Sequence, residues 1–246
     1  MGDHEVILLV CMVAGAVLYT TVGHAGASAY IALMALFGVT PEVMRPTALV
    51  LNIIVASFTS YRFLNAGLFR WRTLWPVLIG AVPLAFIGGS ITLPPSLYRP
   101  LVGGVLLLAA VRLLLPRGSV QNTSWRDPPV LAGVASGGLI GLLSGLTGTG
   151  GGIFLSPLLL FMRWSDTRTA SGVAAVFILA NSVAGLLGNL ATVKQLPPSL
   201  PIYAAGVLVG AVVGTQLGTR WLAVEAILKV LGLVLLVASM KMFGVY

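Results

Sequence analysis

"GLTGTGGGIF" (145–154) packs five glycines into the eight positions from Gly145 to Gly152, inside an otherwise apolar run. That density undoes an α-helix, because each glycine adds backbone entropy and exposes peptide groups. In hydrocarbon no water satisfies the freed N–H and C=O groups. A non-helical stretch at that depth survives only where it lines a cavity or is buried in protein. If the run belongs to a membrane segment, its interruption has a use.

The chain around it is made for lipid. Of 246 residues 58% are hydrophobic and 8% charged, with a mean hydropathy of +1.03. A soluble domain of this length needs far more surface charge. Apolar runs near the ~20-residue length that spans a bilayer recur from end to end. They do not alternate polar and apolar as barrel strands do, so all are helices. The expected class is an all-α polytopic membrane protein. Segments fall at about 6–22, 27–38, 46–64, 74–92 and 98–115, then at 130–147, 152–163, 168–190, 201–219 and 225–243. Between the two sets lies "RGSVQNTSWRDPP" (117–129), the one polar linker. The expected organisation is a membrane repeat over 1–116, the linker over 117–129 and a second membrane repeat over 130–246. The opening "MGDHEVILLV" (1–10) has acids and no Lys or Arg, unlike a cleavable signal peptide, so the first helix stays.

The two sets resemble copies. "GHAGASAYIALMALFGVTPEVMRP" (23–46) lies over "GTGGGIFLSPLLLFMRWSDTRTAS" (148–171) at a shift of 125, with Gly23 on Gly148 and Gly26 on Gly151. Five segments are an odd number, so the copies are expected to be inverted. Charge agrees. One face receives Arg62, Arg70, Arg72, Arg112, Arg117, Arg126, Arg163, Arg168 and Arg220, and the other Arg45, Arg99, Lys194, Lys229 and Lys241. By the positive-inside rule the linker is cytoplasmic and both termini are periplasmic. The 14 Lys and Arg against 6 Asp and Glu stand singly in short loops, so they set topology and do not form a nucleic-acid surface. On this reading Arg45, Arg70, Arg72, Arg163 and Arg168 lie at headgroup depth.

Each half breaks after its first segment, at "VGHAGAS" (22–28) and "TGTGGGIF" (147–154). The segment that follows is about 12 residues, or ~18 Å, too short for a ~30 Å core. A helix starting at such a break presents unpaired N–H groups and the positive end of its dipole, a ready anion site. Matched interruptions in two repeats are the best sequence pointer to a transport site. Glycines spaced by three or four, as in Gly80, Gly88, Gly89, Gly206, Gly210, Gly214 and Gly218, read instead as helix-packing residues. The candidate substrate-binding set is Gly23, His24, Gly26 and Ser28 in the first break and Gly148, Thr149, Gly150, Gly151 and Gly152 in the second. Asn52, Ser57, Asn181 and Ser182 join it as polar residues inside long apolar segments. Ser57 falls on Ser182 at the shift of 125. Histidine is the side chain whose ordinary charge change falls near neutral pH, so His24 is the candidate proton-coupling residue, with a neutral histidine satisfied by backbone as the alternative.

At these residues the chain resembles the sulfite exporter TauE/SafE family of bacterial permeases. "GTGGGIFLSPLLLF" (148–161), "SYRFLNAGLFRWR" (60–72) and "AAGVLVGAVVGTQLGTRW" (204–221) carry the likeness, which extends over essentially the whole chain. It implies a secondary carrier moving small sulfur-containing anions, such as sulfite or organosulfonates, across the bacterial inner membrane, with export as the expected direction. The first half departs from the pattern: "GHAGAS" (23–28) has His24 and Ala25 where small residues are usual, and Ala27 replaces a glycine.

Other classes stay in view. A passive anion channel on the same scaffold and a non-enzymatic assembly factor use the same composition. An enzyme needs acid-base or metal-binding residues within the bilayer. The acids Asp3, Glu5, Glu42, Asp127, Asp166 and Glu225 all stand at segment ends, and the histidines are His4 and His24. Cys11 is the sole cysteine, which excludes an internal disulfide and a cysteine metal cluster. No G-x-x-x-x-G-K-[ST] loop occurs, so ATP does not drive this chain directly. No cofactor or metal is expected. The partners expected are a small anion and membrane lipid, with no nucleic acid; a homo-oligomer is compatible with the apolar surface.

Overall fold

Apolar runs without strand alternation fold as helices. A computed structural model of the chain describes residues 3–21, 23–115, 125–190, 196–218 and 224–245. Among these are α1 (Asp3–Thr20), α2 (Ala27–Leu36), α3 (Pro41–Asn65), α4 (Trp71–Ser90) and α5 (Pro95–Leu114). The second half holds α6 (Val130–Thr147), α7 (Gly152–Phe161), α8 (Thr167–Asn189), α9 (Leu200–Gly218) and α10 (Val224–Met242). Seven of them, α1, α3, α4, α5, α6, α8 and α9, are long and apolar enough to cross a membrane. The protein is therefore an all-α, multi-pass membrane protein. Most of the linker, residues 117–124, lies outside the described residues.

Small residues set which helices touch. A Cβ on Gly80 would meet the Val134 carbonyl, one on Gly141 that of Ala81 and one on Gly145 that of Ala85, so α4 and α6 run parallel in close contact. On the other side Gly206, Gly210 and Gly214 of α9 press on Leu9, Val13 and Val17 of α1, again parallel. Gly89 meets Gly185 of α8. The contacts of Gly218 are outside the described residues. Gly103 faces Met242 and Gly232 faces Leu114, which makes α5 and α10 antiparallel. The bundle thus has a terminal end, where α1 starts and α10 finishes, and a linker end, where α5 finishes and α6 starts. Lys229, grouped above with the opposite face, lies in the linker-end half of α10, because that helix enters from beyond the level of Leu114.

Two further positions differ from the sequence reading. The third segment starts at Pro41, not 46, because proline at the first helical position needs no N–H partner and Thr40 holds extended backbone before it. Pro46 is accommodated inside the helix. Arg45 consequently stands within α3 and is buried, at 6% exposure, instead of sitting among headgroups. Secondly, the register between the halves changes along the chain. α2 and α7 are displaced by 125 at both ends, but the N-caps Thr40 and Asp166 are displaced by 126. From there the exposure of residues 46–57 recurs position by position at 172–183.

Candidate functional site

Both breaks are shaped by left-handed glycines. Gly26 (φ 97°) and Gly151 (φ 77°) are the N-caps of α2 and α7, a conformation that costs an L-residue about 1–2 kcal/mol. Each short helix begins halfway along its long neighbour. The Ala27 N–H donates to Asn52 Oδ1 at 3.2 Å, in the middle of α3. Gly152 packs on Ile178, in the middle of α8. α2 then runs to the terminal end, where it joins α3, and α7 to the linker end, where it joins α8.

The two starts meet. His24 Nε2 lies 3.1 Å from the Gly152 carbonyl and 3.1 Å from Ser156 Oγ, so a side chain of the first break is bonded to the first turn of α7. A carbonyl only accepts, so Nε2 carries the proton and donates it there. Between them is a cavity of about 10 Å3, lined by Tyr19, His24, Ala25, Gly26, Ala27, Ser28, Asn52, Thr149, Gly152, Ile153 and Ile178. It has room for about one water. The first turns of both half-helices contribute to the lining, and among the described residues no carboxylate does. Their leading N–H groups are the ones that a helix leaves without an internal partner.

A polar frame holds the lining. Asn52 Nδ2 donates to Ser182 Oγ at 2.9 Å, joining α3 to α8. The Asn181 amide donates to the Gly150 carbonyl at 3.4 Å, while its Oδ1 is buried without a partner. Tyr19 and Ser28 share a 2.6 Å hydroxyl pair, and Thr149 pairs with Thr147 at 3.0 Å. Tyr98 of α5 donates to the Thr147 carbonyl at 3.0 Å, anchoring the end of α6.

The sequence-derived set divides accordingly. His24, Gly26, Ser28, Asn52, Thr149 and Gly152 line the cavity. Ser182, Asn181, Gly150 and Gly151 stand directly behind it: a Cβ on Gly150 would strike Asn52, and one on Gly151 would lie 2.9 Å from Asn181 Nδ2. Gly23 and Gly148 sit farther out, against Ser171 and Arg45 respectively. Ser57 is the exception. It is exposed and donates to the Ile53 carbonyl of its own helix at 2.7 Å. At the offset of 126 its counterpart is Val183, also exposed, and one helical position rotates a side chain by about 100°. Tyr19, Ile153, Ile178 and Ser156 were missed. For Tyr19 a signal existed, a hydroxyl near the end of an apolar helix; the aliphatic pair carries none.

Among the described residues no three His, Cys, Asp or Glu side chains gather as a metal site would require. A family model described as "Sulfite exporter TauE/SafE" matches residues 7–242. A "Probable membrane transporter protein y4hK" of Sinorhizobium fredii is 37% identical over 230 residues, 92% of this chain and 93% of that protein. A "Probable membrane transporter protein" of Xylella fastidiosa strain 9a5c is 35% identical over 86 residues, 35% of this chain and 33% of its own length. No solved structure matches the chain. With the match running from the first helix to the last, the chain belongs to the sulfite exporter TauE/SafE family of membrane transporters, whose general function is anion transport rather than catalysis.

Proposed function

We propose that this transporter is a secondary carrier of small sulfur-containing anions of the sulfite and sulfonate type, exporting them across the inner membrane by alternating access. The observation that carries the reading is the sharing of one cavity by the first turns of α2 and α7. Two helix N-termini converging on one point offer their positive dipole ends, and the first-turn N–H groups other than those of Ala27 and Phe154, to a single anion. Asn52, Ser28 and Thr149 add neutral hydrogen-bonding groups, with Ser182 holding the Asn52 amide from behind. A set of neutral donors suits an anion that must leave again.

Inverted repeats are the second part of the reading. α2 and α7 point to opposite ends of the bundle, α1 pairs with α9 as α6 pairs with α4, and α3 crosses α8 between them. Such halves exchange roles when the site opens to one side and then the other. The cavity has room for about one water, whereas sulfite has four heavy atoms, so loading requires the half-helices to part. The arginine-rich linker end is the cytoplasmic one on the positive-inside rule, which puts the termini in the periplasm. His24, bonded to the first turn of α7, is the proton-coupling candidate because protonation there alters the tie between the two breaks.

The test is thermal stabilisation of the detergent-purified protein by sulfite, thiosulfate, sulfate, taurine, sulfoacetate and acetate, with Gly151→Val alongside. Sulfur oxyanions are expected to raise the melting temperature, as a ligand at 100 times its Kd contributes about 2.7 kcal/mol. The variant is expected to lose the response. Silence of the wild-type protein to the whole panel refutes the anion site.

A further inference from the structure

Arg45 is a buried cation near the terminal end of the bundle. Its Nη1 donates to the Ile91 carbonyl at 2.9 Å, and its Nη2 to those of Gly88, Gly89 and Gly145 at 2.6, 2.7 and 2.5 Å. These are the C-terminal carbonyls of α4 and α6, where a cation is favoured by the helix dipole. Nε is buried without a partner. Among the described residues no carboxylate lies within ion-pair distance of Arg45; Asp127, which pairs with Arg70 and Arg72, is at the other end. At the offset of 126 the counterpart of Arg45 is Ser171, so the other half has no such charge.

Tying carbonyls together does not require a full charge, since a neutral amide also donates. A full charge with no ionised partner is felt beyond its own hydrogen bonds. Arg45 packs on Gly148, and the next residue, Thr149, lines the cavity. Asn52 follows Arg45 by seven residues on one face of α3, a rise of about 10 Å. The backward lean of a helical side chain sets the guanidinium roughly 12 Å from the cavity. At an effective permittivity of about 20, one charge at that distance changes the affinity for a monovalent anion roughly tenfold and for a divalent one roughly a hundredfold. The carbonyl dipoles do not alter that difference, because neutralising Arg45 removes one whole charge whatever they contribute.

We propose that Arg45 is the charge-selecting residue of this transporter, a fixed dry cation that favours anions in the central cavity, and divalent over monovalent ones, without touching them. The proposal rests on the reading of that cavity as the anion site. The test is equilibrium binding of sulfate, divalent, and methanesulfonate, monovalent, to the detergent-purified full chain and to Arg45→Gln and Arg45→Lys. Arg45→Gln is expected to weaken methanesulfonate roughly tenfold and sulfate roughly a hundredfold. Arg45→Lys, which keeps the charge but not the planar fork, is expected to lose thermal stability while holding both affinities within about threefold. Should the glutamine variant not fold, the lysine variant still decides: a tenfold loss there shows that the fork matters rather than the charge, and overturns the proposal. Equal losses for the two anions in Arg45→Gln, or none, also overturn it while leaving the anion site standing. If wild-type protein binds neither anion, the site reading fails and the proposal falls with it.

Discussion

Two glycines of equal φ separate the cost of a left-handed turn from the cost of filling the site. Gly38, between α2 and α3, and Gly150, in the second break, both have φ 75°. A Cβ on Gly38 meets nothing within 4 Å, whereas one on Gly150 overlaps Asn52 Nδ2 and lies 3.0 Å from Ser182 Oγ. Gly38→Ala should therefore cost only the left-handed penalty, about 1–2 kcal/mol. Gly150→Ala has the same penalty and also displaces the Asn52 amide. That breaks the bond to Ser182 and unseats the one from Ala27 N–H, and a buried polar group left unpaired costs about 1–3 kcal/mol. The expected total is about 2–5 kcal/mol. For a chain of this size each kcal/mol is worth roughly 2–4 °C of melting temperature. Thermal unfolding of both purified variants, with and without sulfite, measures the difference. Gly38→Ala should respond to sulfite like wild type, and Gly150→Ala should not respond. Equal stability losses in the two variants, or a preserved sulfite response in Gly150→Ala, would refute the frame built around Asn52.

Neighbouring polar residues give sharper contrasts. Ser57→Ala should leave sulfite binding and melting unchanged, while Ser182→Ala should weaken binding and cost about 1 kcal/mol through the lost Asn52 bond; equal effects in a binding titration would contradict the register given above. His24→Asn should abolish the pH dependence of anion flux in proteoliposomes while the protein still folds, and a retained pH profile would remove His24 from the coupling path. At the N-cap of α8, partial burial raises the Asp166 carboxyl, but the Thr169 hydroxyl and the N–H groups of Thr169 and Arg168 outweigh it and hold it below its ordinary value. Its pKa is thus lower folded than unfolded, so its stabilisation is full above the unfolded value and is lost as pH falls through the folded one. Asp166→Ala should cost about 1 kcal/mol at pH 7, with the gap to wild type closing below about pH 4 in melting curves. A gap that stays constant to low pH would mean that the carboxylate is not the cap.

What the sequence made legible is what depends on solvent and backbone. Bilayer thickness and the need to satisfy peptide groups fix helix length, so the long segments and the two short ones are readable from hydropathy and glycine density. The start of α3 was hidden because Pro46 looks like a helix boundary, whereas Pro41 is the real one. Arg45 was hidden for the same reason. An arginine in a polar-looking turn reads as a headgroup residue, and only the fold brings the ends of α4 and α6 onto it. The shared cavity could not be read at all, because hydropathy does not say which helices cross.

The side-chain partners were obscured by one residue. α3 and α8 cross antiparallel, with Leu49 beside Gly185 and Asn52 bonded to Ser182, so contacting positions sum to 234 in both cases. Counterparts, by contrast, differ by a fixed offset, which is 125 through α2 and α7 and 126 beyond the turn at Arg163. At 126 the counterpart of Asn52 is Ile178, that of Ser182 is Ala56 and that of Asn181 is Val55. Every polar residue of the long-helix frame is thus matched by an aliphatic one. A repeat can keep its backbone turns symmetric, because the αL glycines serve both halves alike, while confining its polar side chains to one side of the crossing. An anion held there would have neutral donors on one wall and Ile178 on the other. On the proposed function, the half-helices would give the grip its shape, and the asymmetry of α3 and α8 would orient what it holds.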